Sequence, residues 1–245
     1  MVGREVVTAL GELGHEAVPA SRRTGVDIVT GTGLAEAVSR AEAVIHTADT
    51  MRPWEYGKVT EGGTRRVAQA VGTAPNRPHL VYISIVGVDR VKYPYYRAKL
   101  AAEMAIRDQP IDATIVRATQ FHSLAAALSR AHIGPIALGL KGLQIQPVDI
   151  RYAAQELARV ATADRPQGFV RHPDLAGPDR FDGEAIADLV AEHEGRRVTR
   201  RVEAPAVGRV VRSFARGLLP GPAAQIGGER FTEWLASQPR RLPRR

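Results

Sequence analysis

Apolar side chains recur along the chain with two spacings that alternate from one segment to the next. Short aliphatic and β-branched runs predict strands over residues 15–19, 27–29, 43–47, 80–84, 113–117, 144–147, 169–171 and 198–202. Between them, apolar residues return every three or four positions, which predicts helices over residues 4–13, 34–40, 61–71, 95–107, 119–131, 150–163, 181–193, 207–216 and 229–235. Strands that alternate with helices are typical of βαβ units, so the sequence predicts an α/β protein with a parallel sheet.

The regular alternation loosens after residue 117, and a stretch rich in Gly and Pro follows up to Gly142. We therefore predict a larger α/β domain over residues 1–142 and a smaller region over residues 143–235. A basic tail over residues 236–245 completes the chain. A length of 245 residues suits one α/β domain with such an appendage.

Composition limits the chemistry that the chain can perform. The sequence has no cysteine, which excludes disulfides, thiolate nucleophiles and cysteine-ligated metals and favours a reducing, cytoplasmic location. The seven histidines have no metal-like spacing, so we predict no metal site. The N-terminus lacks the build of a secretory signal, and the most apolar stretch, residues 124–140, is broken by charge, Gly and Pro. We expect no membrane partner, and either a monomer or a homodimer.

A net charge of +8 raises a nucleic-acid-binding alternative. Residues 1–120 carry 15 basic and 13 acidic side chains, whereas residues 121–245 carry 19 and 13, so the excess lies mainly in the second half. Aromatic residues make up only 5% of the chain, which gives no platform for stacking bases. The pattern favours a solvated arginine-rich surface over a nucleic-acid partner.

Two positions near the N-terminus suggest a bound dinucleotide. Gly3 stands directly before the first predicted helix, where a glycine lets backbone N–H groups approach a pyrophosphate. Arg22 and Arg23 follow the first predicted strand, where a guanidinium would bind the 2′-phosphate of NADP and an acidic residue would favour NAD. A terminal glycine and a pair of solvated loop arginines remain the alternative interpretations.

A tyrosine and a lysine provide candidate catalytic groups. Tyr95 and Lys99 are four residues apart at the start of a predicted helix and so share one of its faces. A nearby ammonium stabilises a phenolate, so we expect Lys99 to lower the pKa of Tyr95 and make it a usable acid. Ser84, at the end of the preceding strand, can orient a substrate carbonyl. The alternative is a surface Tyr–Lys pair on an amphipathic helix.

Seven short segments spread over the chain carry a family resemblance. They are Met1-Val2-Gly3-Arg4-Glu5-Val6-Val7, Val44-Ile45-His46-Thr47-Ala48, Glu61-Gly62-Gly63-Thr64, Tyr82-Ile83-Ser84-Ile85-Val86-Gly87-Val88-Asp89, Tyr95-Tyr96-Arg97-Ala98-Lys99-Leu100-Ala101-Ala102-Glu103, Arg117-Ala118-Thr119-Gln120-Phe121-His122 and Gln146-Pro147-Val148-Asp149-Ile150-Arg151. Together they resemble the atypical short-chain dehydrogenase/reductases, NmrA-like NAD(P)-binding proteins.

The resemblance implies a doubly wound Rossmann-type fold with bound NADP or NAD. It also implies hydride transfer between the cofactor and a small carbonyl or quinone-like substrate, with Ser84, Tyr95 and Lys99 as catalytic residues. Thr47 and Ala48 would then pass along the cofactor, and Gln120 and His122 would approach the nicotinamide or the substrate. Some NmrA-like proteins are instead non-catalytic NAD(P) sensors, which is the alternative function.

The sequence departs from this family at its start. Family members begin with a hydrophobic strand and a Gly-x-x-Gly-x-x-Gly turn, of which only the last glycine, Gly3, stands in this sequence. In the strand order 3-2-1-4-5-6 the missing strand would be central. The sequence therefore predicts a doubly wound parallel sheet that lacks its first strand, and we expect translation to start upstream of Met1.

Overall fold

A computed structural model describes residues 2–130, 132–133, 136–140, 142–196, 198, 200–204, 213–214 and 217–240. Most of the predicted helix over residues 207–216 and half of the basic tail lie outside these residues. The strands are β1 (Ala43–His46), β2 (His79–Ile85), β3 (Ala113–Ala118), β4 (His132–Ile133), β5 (Ile136–Leu140), β6 (Gln144–Ile145), β7 (Phe169–Arg171), β8 (Leu175–Ala176), β9 (Phe181–Asp182), β10 (Arg200–Ala204) and β11 (Gln225–Ile226).

The helices lie between and around these strands. They are α1 (Val2–Glu12), α2 (Leu34–Ser39), α3 (Gly62–Thr73), α4 (Pro94–Arg107), α5 (His122–Leu128), α6 (Ile150–Thr162), α7 (Gly183–His193) and α8 (Phe231–Ser237). A π-helical turn, Tyr56–Glu61, leads into α3. No helix in the described part of the chain is long and apolar enough to cross a membrane.

The main sheet has the order β1-β2-β3-β8-β11, and β7 also pairs with β3. Every pair in it is parallel. Strands from both sides of residue 142 share this sheet, and the domain boundary there stays a prediction. Small sheets of three strands (β10-β5-β4) and two strands (β6-β9) complete the described structure.

Helices cover both faces of the main sheet, which confirms the doubly wound α/β architecture. Alternate side chains of β2 enter two different cores, because successive residues of a strand point to opposite faces. Leu80 and Tyr82 pack with α2, α3 and α4, whereas Val81 and Ile83 pack with α1 and α6. Central parallel strands must be apolar on both faces, which explains the continuous hydrophobic runs in β2 and β3.

Two predicted strands are wrong. Residues 15–19 form an irregular, mostly exposed segment, and residues 27–29 form a turn in which Asp27 accepts a hydrogen bond from the backbone N–H of Val29. A parallel strand needs a hydrogen-bonded neighbour. Among the described residues, β1 pairs only with β2, so these two segments have no strand beside them on that side of the sheet.

The predicted helix over residues 119–131 begins later than expected, at His122. The backbone N–H of Thr119 donates to the carbonyl of Leu175, and the carbonyl of Gln120 accepts from the backbone N–H of Val148. These hydrogen bonds continue the strand-like pairing beyond β3. The helical spacing of apolar residues therefore begins before the helix does. The backbone of Thr119 and Gln120 is hydrogen-bonded to Leu175 and Val148 instead of joining the helix.

Candidate active site

The first part of the site forms where β1 ends and α1 begins. Gly3, in the first turn of α1, lies so close to Thr47 that a Cβ at position 3 would come within 2.9 Å of Thr47 Oγ1. A side chain at this position would therefore displace its neighbour. The structure brings together these two residues, both predicted from the sequence to contact the cofactor, at the carboxyl end of β1. Helix geometry leaves the N–H groups of a first turn, such as that of α1, without partners inside the helix.

Helix α4 supplies the second part of the site. Pro94 occupies the first turn, where a missing N–H costs no helical hydrogen bond, and a run of Ala, Leu and Met follows. Lys99 is 3% exposed, and its Nζ donates a hydrogen bond to the carbonyl of Ile83 at 2.8 Å. The same ammonium lies 4.3 Å from the centroid of the Tyr82 ring. The lysine is therefore fixed against β2 and is not a solvated surface group.

Asp49, which was not among the predicted site residues, joins Tyr95 to Lys99. The Tyr95 hydroxyl donates to Asp49 Oδ2 at 2.7 Å, and Lys99 Nζ lies 3.2 Å from the same oxygen. The other oxygen, Oδ1, accepts from the Thr60 hydroxyl at 2.6 Å and from the backbone N–H of Thr50 at 2.8 Å. Its place directly after Thr47 and Ala48 was the sequence signal that could have indicated it.

The electrostatics of Tyr95 differ from the expectation. Burial, and next the charge of Asp49, raise the pKa of the Tyr95 hydroxyl well above its ordinary value. The predicted lowering by Lys99 is wrong, because the Lys99 ammonium is paired with the Asp49 carboxylate. Burial alone would raise the pKa of Asp49, but Lys99, Thr60 and Tyr95 together lower it. Burial would likewise lower the pKa of Lys99, but Tyr82 and Asp49 raise it. Tyr95 is therefore a phenol that donates to a carboxylate oxygen, which also contacts the Lys99 ammonium.

A shell of neutral polar groups lies behind this pair. His46 Nε2 lies 3.0 Å from Thr64 Oγ1, and the His46 ring stacks on that of Tyr82 with centroids 5.2 Å apart. Burial, assisted by the charge of Lys99, lowers the pKa of His46 to about 4. The imidazole is consequently neutral at pH 7. These uncharged groups therefore surround the charged pair formed by the Lys99 ammonium and the Asp49 carboxylate.

Ser84 lies on β2, one residue beyond the carbonyl that binds Lys99. It is 2% exposed, and its hydroxyl has no hydrogen-bond partner among the described residues. The Tyr95 hydroxyl is directed to Asp49 and not to Ser84. An unpaired buried hydroxyl is costly, which is consistent with a group that serves a ligand. The role of Ser84 stays a prediction.

Gln120 and His122 lie in two different environments. Gln120 is 7% exposed, and its side chain forms a hydrogen bond with Tyr96. Burial raises the pKa of Tyr96 to about 12, although the hydrogen bond with Gln120 lowers it. The Gln120 Oε1 atom has no partner among the described residues. The ring of His122 packs against Phe231 and Trp234, and its Nε2 lies 2.9 Å from the carbonyl of Glu229. Its contacts are therefore with the C-terminal region.

The two arginines predicted to bind a 2′-phosphate lie in an exposed 3₁₀ turn, Arg22–Thr24. A hydrogen bond from Thr50 is the main cause that lowers the pKa of Glu55, and the charges of Arg52 and Arg22 add to it. Arg22 therefore lies within electrostatic range of the loop that carries Asp49. Ala48 is exposed at the start of that loop.

A buried ion-pair network anchors α4 one helical turn beyond Lys99. Arg117 Nε and Nη2 donate to Glu103 Oε1 and Oε2 at 2.9 and 2.7 Å, and Nη1 donates to Asp89 Oδ2 at 3.0 Å. The Arg117 guanidinium therefore forms a bidentate ion pair with the Glu103 carboxylate. No three His, Asp or Glu side chains among the described residues are grouped as metal ligands.

Comparison with solved structures supports the architecture over nearly the whole chain. The quinone oxidoreductase QOR2 of Escherichia coli, complexed with NADPH, has a TM-score of 0.72 at 15% identity over 96% of this chain and 95% of that one. The fold is of the Rossmann type. MoeE5 in complex with UDP-glucose and NAD has a TM-score of 0.67 at 20% identity, covering 97% and 93% of the two chains.

A third similar structure is the dTDP-4-dehydrorhamnose reductase of Bacillus anthracis in complex with NADP. It has a TM-score of 0.63 at 15% identity and covers 96% of this chain and 93% of that one. No family model matches the chain, and no curated protein matches it in sequence. Identities this low establish a shared fold, and function must be argued from the site.

Proposed function

We propose that the protein is an NAD(P)-dependent oxidoreductase that reduces a small carbonyl or quinone-like compound, with NADP(H) as the preferred cofactor. The observation that carries this proposal is the position of Tyr95 and Lys99. The Lys99 ammonium binds the carbonyl of Ile83 near the carboxyl end of β2, and both side chains contact Asp49, which follows β1. Ligands of open α/β sheets bind at the carboxyl ends of the strands. A buried lysine and a hydrogen-bonded phenol in such a crevice are typical of an acid–base site.

The residues around the start of α1 fit a dinucleotide. Gly3 leaves no Cβ between the helix terminus and Thr47, so a phosphate can approach the N–H groups of the first turn. Thr47 and Ala48 would line the cofactor, Lys99 would hold its ribose hydroxyls, and Arg22 and Arg23 would bind a 2′-phosphate. The three similar structures described above were solved with NADPH, NAD or NADP, which supports this assignment.

Each group of the site would have a distinct role in the proposed reaction. The nicotinamide cofactor, when bound, supplies or accepts a hydride. Tyr95 gives its proton to the substrate oxygen, and the Ser84 hydroxyl orients that oxygen by a hydrogen bond. Gln120 would contact the remainder of the substrate, whereas the described contacts of His122 are with the C-terminal region. The polar atoms of Ser84 and Gln120 that have no partner among the described residues support this arrangement, because a ligand would satisfy them.

A second candidate is a non-catalytic NAD(P) sensor of the NmrA-like type. One observation favours it: Asp49 holds the Tyr95 proton and raises the pKa of the phenol, whereas an efficient proton donor has a pKa near the working pH. A sensor requires only cofactor binding and a surface that reports it. Catalysis by Tyr95 is the feature that separates the two candidates.

The proposal is tested by calorimetric titration of NADPH and NADH into the full chain, followed by assays of hydride transfer to a panel of quinones and aldehydes. We expect saturable NADPH binding and oxidation of NADPH by at least one member of the panel. Binding without any transfer would support the sensor. Failure to bind either cofactor would refute both candidates.

Arg22→Ala tests the cofactor preference. A hydrogen bond to a charged group contributes about 1.5–3 kcal/mol, and about 1.4 kcal/mol corresponds to a tenfold change in affinity. We therefore expect NADPH to bind about 10- to 100-fold more weakly and NADH to bind as before. Arg40→Ala is the matched control, since Arg40 is an exposed arginine paired with Glu36 on α2. Equal losses for NADPH and NADH would contradict a 2′-phosphate contact.

A further inference from the structure

The Asp49 carboxylate is held at both of its oxygens. Oδ1 accepts from Thr60 and from the backbone of Thr50, and Oδ2 accepts from Tyr95 and Lys99. Its side chain is 23% exposed. Four donors on a partly buried carboxylate fix both its charge and its direction, because charge-assisted hydrogen bonds are short and strong. Asp49 is therefore a preorganised group of the site.

This arrangement decides which form of Tyr95 is stable. A phenolate at position 95 would lie in hydrogen-bond contact with a carboxylate, and like charges at that distance repel. Lys99 cannot offset the repulsion, because its ammonium is neutralised by the same carboxylate at 3.2 Å. The protonated phenol, in contrast, donates a charge-assisted hydrogen bond to Asp49. The geometry therefore stabilises the tyrosine only with its proton in place.

The other groups around Asp49 do not change this balance. Beside Tyr95 and Lys99 from α4, Asp49 faces His46 on β1, Tyr82 on β2 and Tyr56 on the π-helical turn. Burial keeps the imidazole neutral and raises the pKa of both phenols, so all three are uncharged between pH 5 and 9. After Asp49, the Thr50 hydroxyl donates a hydrogen bond to the Glu55 carboxylate, which also forms an ion pair with Arg52.

We propose that Asp49 is a positioning residue that keeps Tyr95 protonated, so that the resting site holds a proton donor, and alcohol oxidation, which starts from the phenolate, is slow near neutral pH. This inference rests on the proposed function. In the reductive direction the Tyr95 O–H bond breaks as an O–H bond forms on the substrate oxygen, and the reduced nicotinamide cofactor supplies the hydride. Water then returns a proton to Tyr95. In the opposite direction a phenolate must accept the proton of the alcohol, and Asp49 removes that form.

The first test is the ionisation of Tyr95 in the protein without cofactor. Samples with ¹³Cζ-labelled tyrosine are titrated by NMR from pH 7 to 11, and the Tyr95 resonance is assigned from its loss in Tyr95→Phe. In the wild-type protein we expect this resonance not to titrate, whereas exposed tyrosines ionise near the ordinary value of about pH 10. Titration of Tyr95 at or below about pH 10 in the wild type would overturn the proposal without the need for a second variant.

The second test removes the charge of Asp49. In Asp49→Asn the ammonium of Lys99 loses its counter-ion and faces Tyr95, so the pKa of Tyr95 should fall and its resonance should titrate earlier than in the wild type. Glu55→Gln is the matched control, because Glu55 lies on the same loop and hydrogen-bonds to Thr50 rather than to Tyr95. Glu55→Gln should leave the Tyr95 resonance as in the wild type. Identical titrations of Asp49→Asn and wild type would refute the role of Asp49.

The pH dependence of turnover provides a third measurement. We expect wild-type reduction with NADPH to be nearly constant from pH 6 to 9, since Tyr95 keeps its proton throughout, and alcohol oxidation with NADP to be undetectable. In Asp49→Asn, oxidation should emerge and rise with pH as the phenolate forms. Wild-type oxidation at pH 7 as fast as reduction would contradict the inference. Absence of NAD(P) binding in both proteins would instead refute the proposed function and leave the NMR result standing.

Discussion

Replacing Arg117 with methionine should lower the free energy of unfolding by about 3–5 kcal/mol. Arg117 is 5% exposed, and its guanidinium forms a bidentate pair with the Glu103 carboxylate, whose side chain is 8% exposed. Methionine fills much of the same volume but leaves Glu103 charged and unpaired in the protein interior. Urea unfolding should show a lower midpoint with an unchanged dependence on denaturant concentration, because the native surface area is preserved.

The double variant Arg117→Met/Glu103→Leu is the control for this prediction. It removes both charges and leaves Asp89, whose side chain is 47% exposed and stays in contact with water. Replacing a buried ion pair by apolar groups is often neutral or stabilising, so the double variant should recover most of the lost stability. A double variant as unstable as the single one would show that packing of the guanidinium, rather than the orphaned carboxylate, sets the cost. A single variant as stable as the wild type would contradict the prediction.

Tyr95→Phe should reduce the rate of carbonyl reduction by about 100- to 10,000-fold, the usual contribution of a positioned general acid. The ring is retained, so its packing against Tyr56 and Tyr96 should persist and NADPH should bind as in the wild type. The loss should therefore fall on kcat rather than on KM, since the proton is transferred only in the transition state. The measurement is steady-state turnover with a substrate found in the quinone and aldehyde panel.

Tyr93→Phe is the matched control for this variant. Tyr93 precedes the same helix, is 39% exposed and packs against Phe214, so the substitution alters a neighbouring hydroxyl without touching Asp49 or Lys99. It should retain wild-type turnover. Unchanged turnover in Tyr95→Phe would eliminate the acid–base role of this residue. In that case the sensor interpretation would be the better account of the site formed by Asp49, Tyr95 and Lys99.

The alternation of strand-like and helix-like spacing correctly predicted most of the fold. The predicted bounds of β2 and β3 are close to those observed, because a strand buried on both faces is mostly apolar and therefore recognisable in the sequence. The predicted strands over residues 15–19 and 27–29 failed for a non-local reason. Val18 in the first segment and Ile28 and Val29 in the second favour strands, but strand formation depends on a hydrogen-bonded neighbour, which a local sequence pattern cannot supply.

The candidate site was predicted in part. Spacing alone placed Tyr95 and Lys99 on one helix face, and the helix start placed Gly3 close to the end of a strand. The sequence also determined that the chain has no cysteine chemistry and that its charge excess lies mainly in the second half. These are properties of residue type, order and local periodicity, which need no knowledge of distant contacts.

Only the tertiary structure decided which charged and polar side chains contact one another and how these contacts shift their pKa values. Asp49 is 46 residues from Tyr95 in sequence, and burial of the phenol together with its contact with Asp49 raises its pKa, opposite to the expected direction. Arg117 on β3 and Glu103 on α4 likewise meet only in the folded chain, where they form a buried ion pair. Electrostatic energy depends on distance and burial in space, and both are set by how the chain packs rather than by the order of its residues.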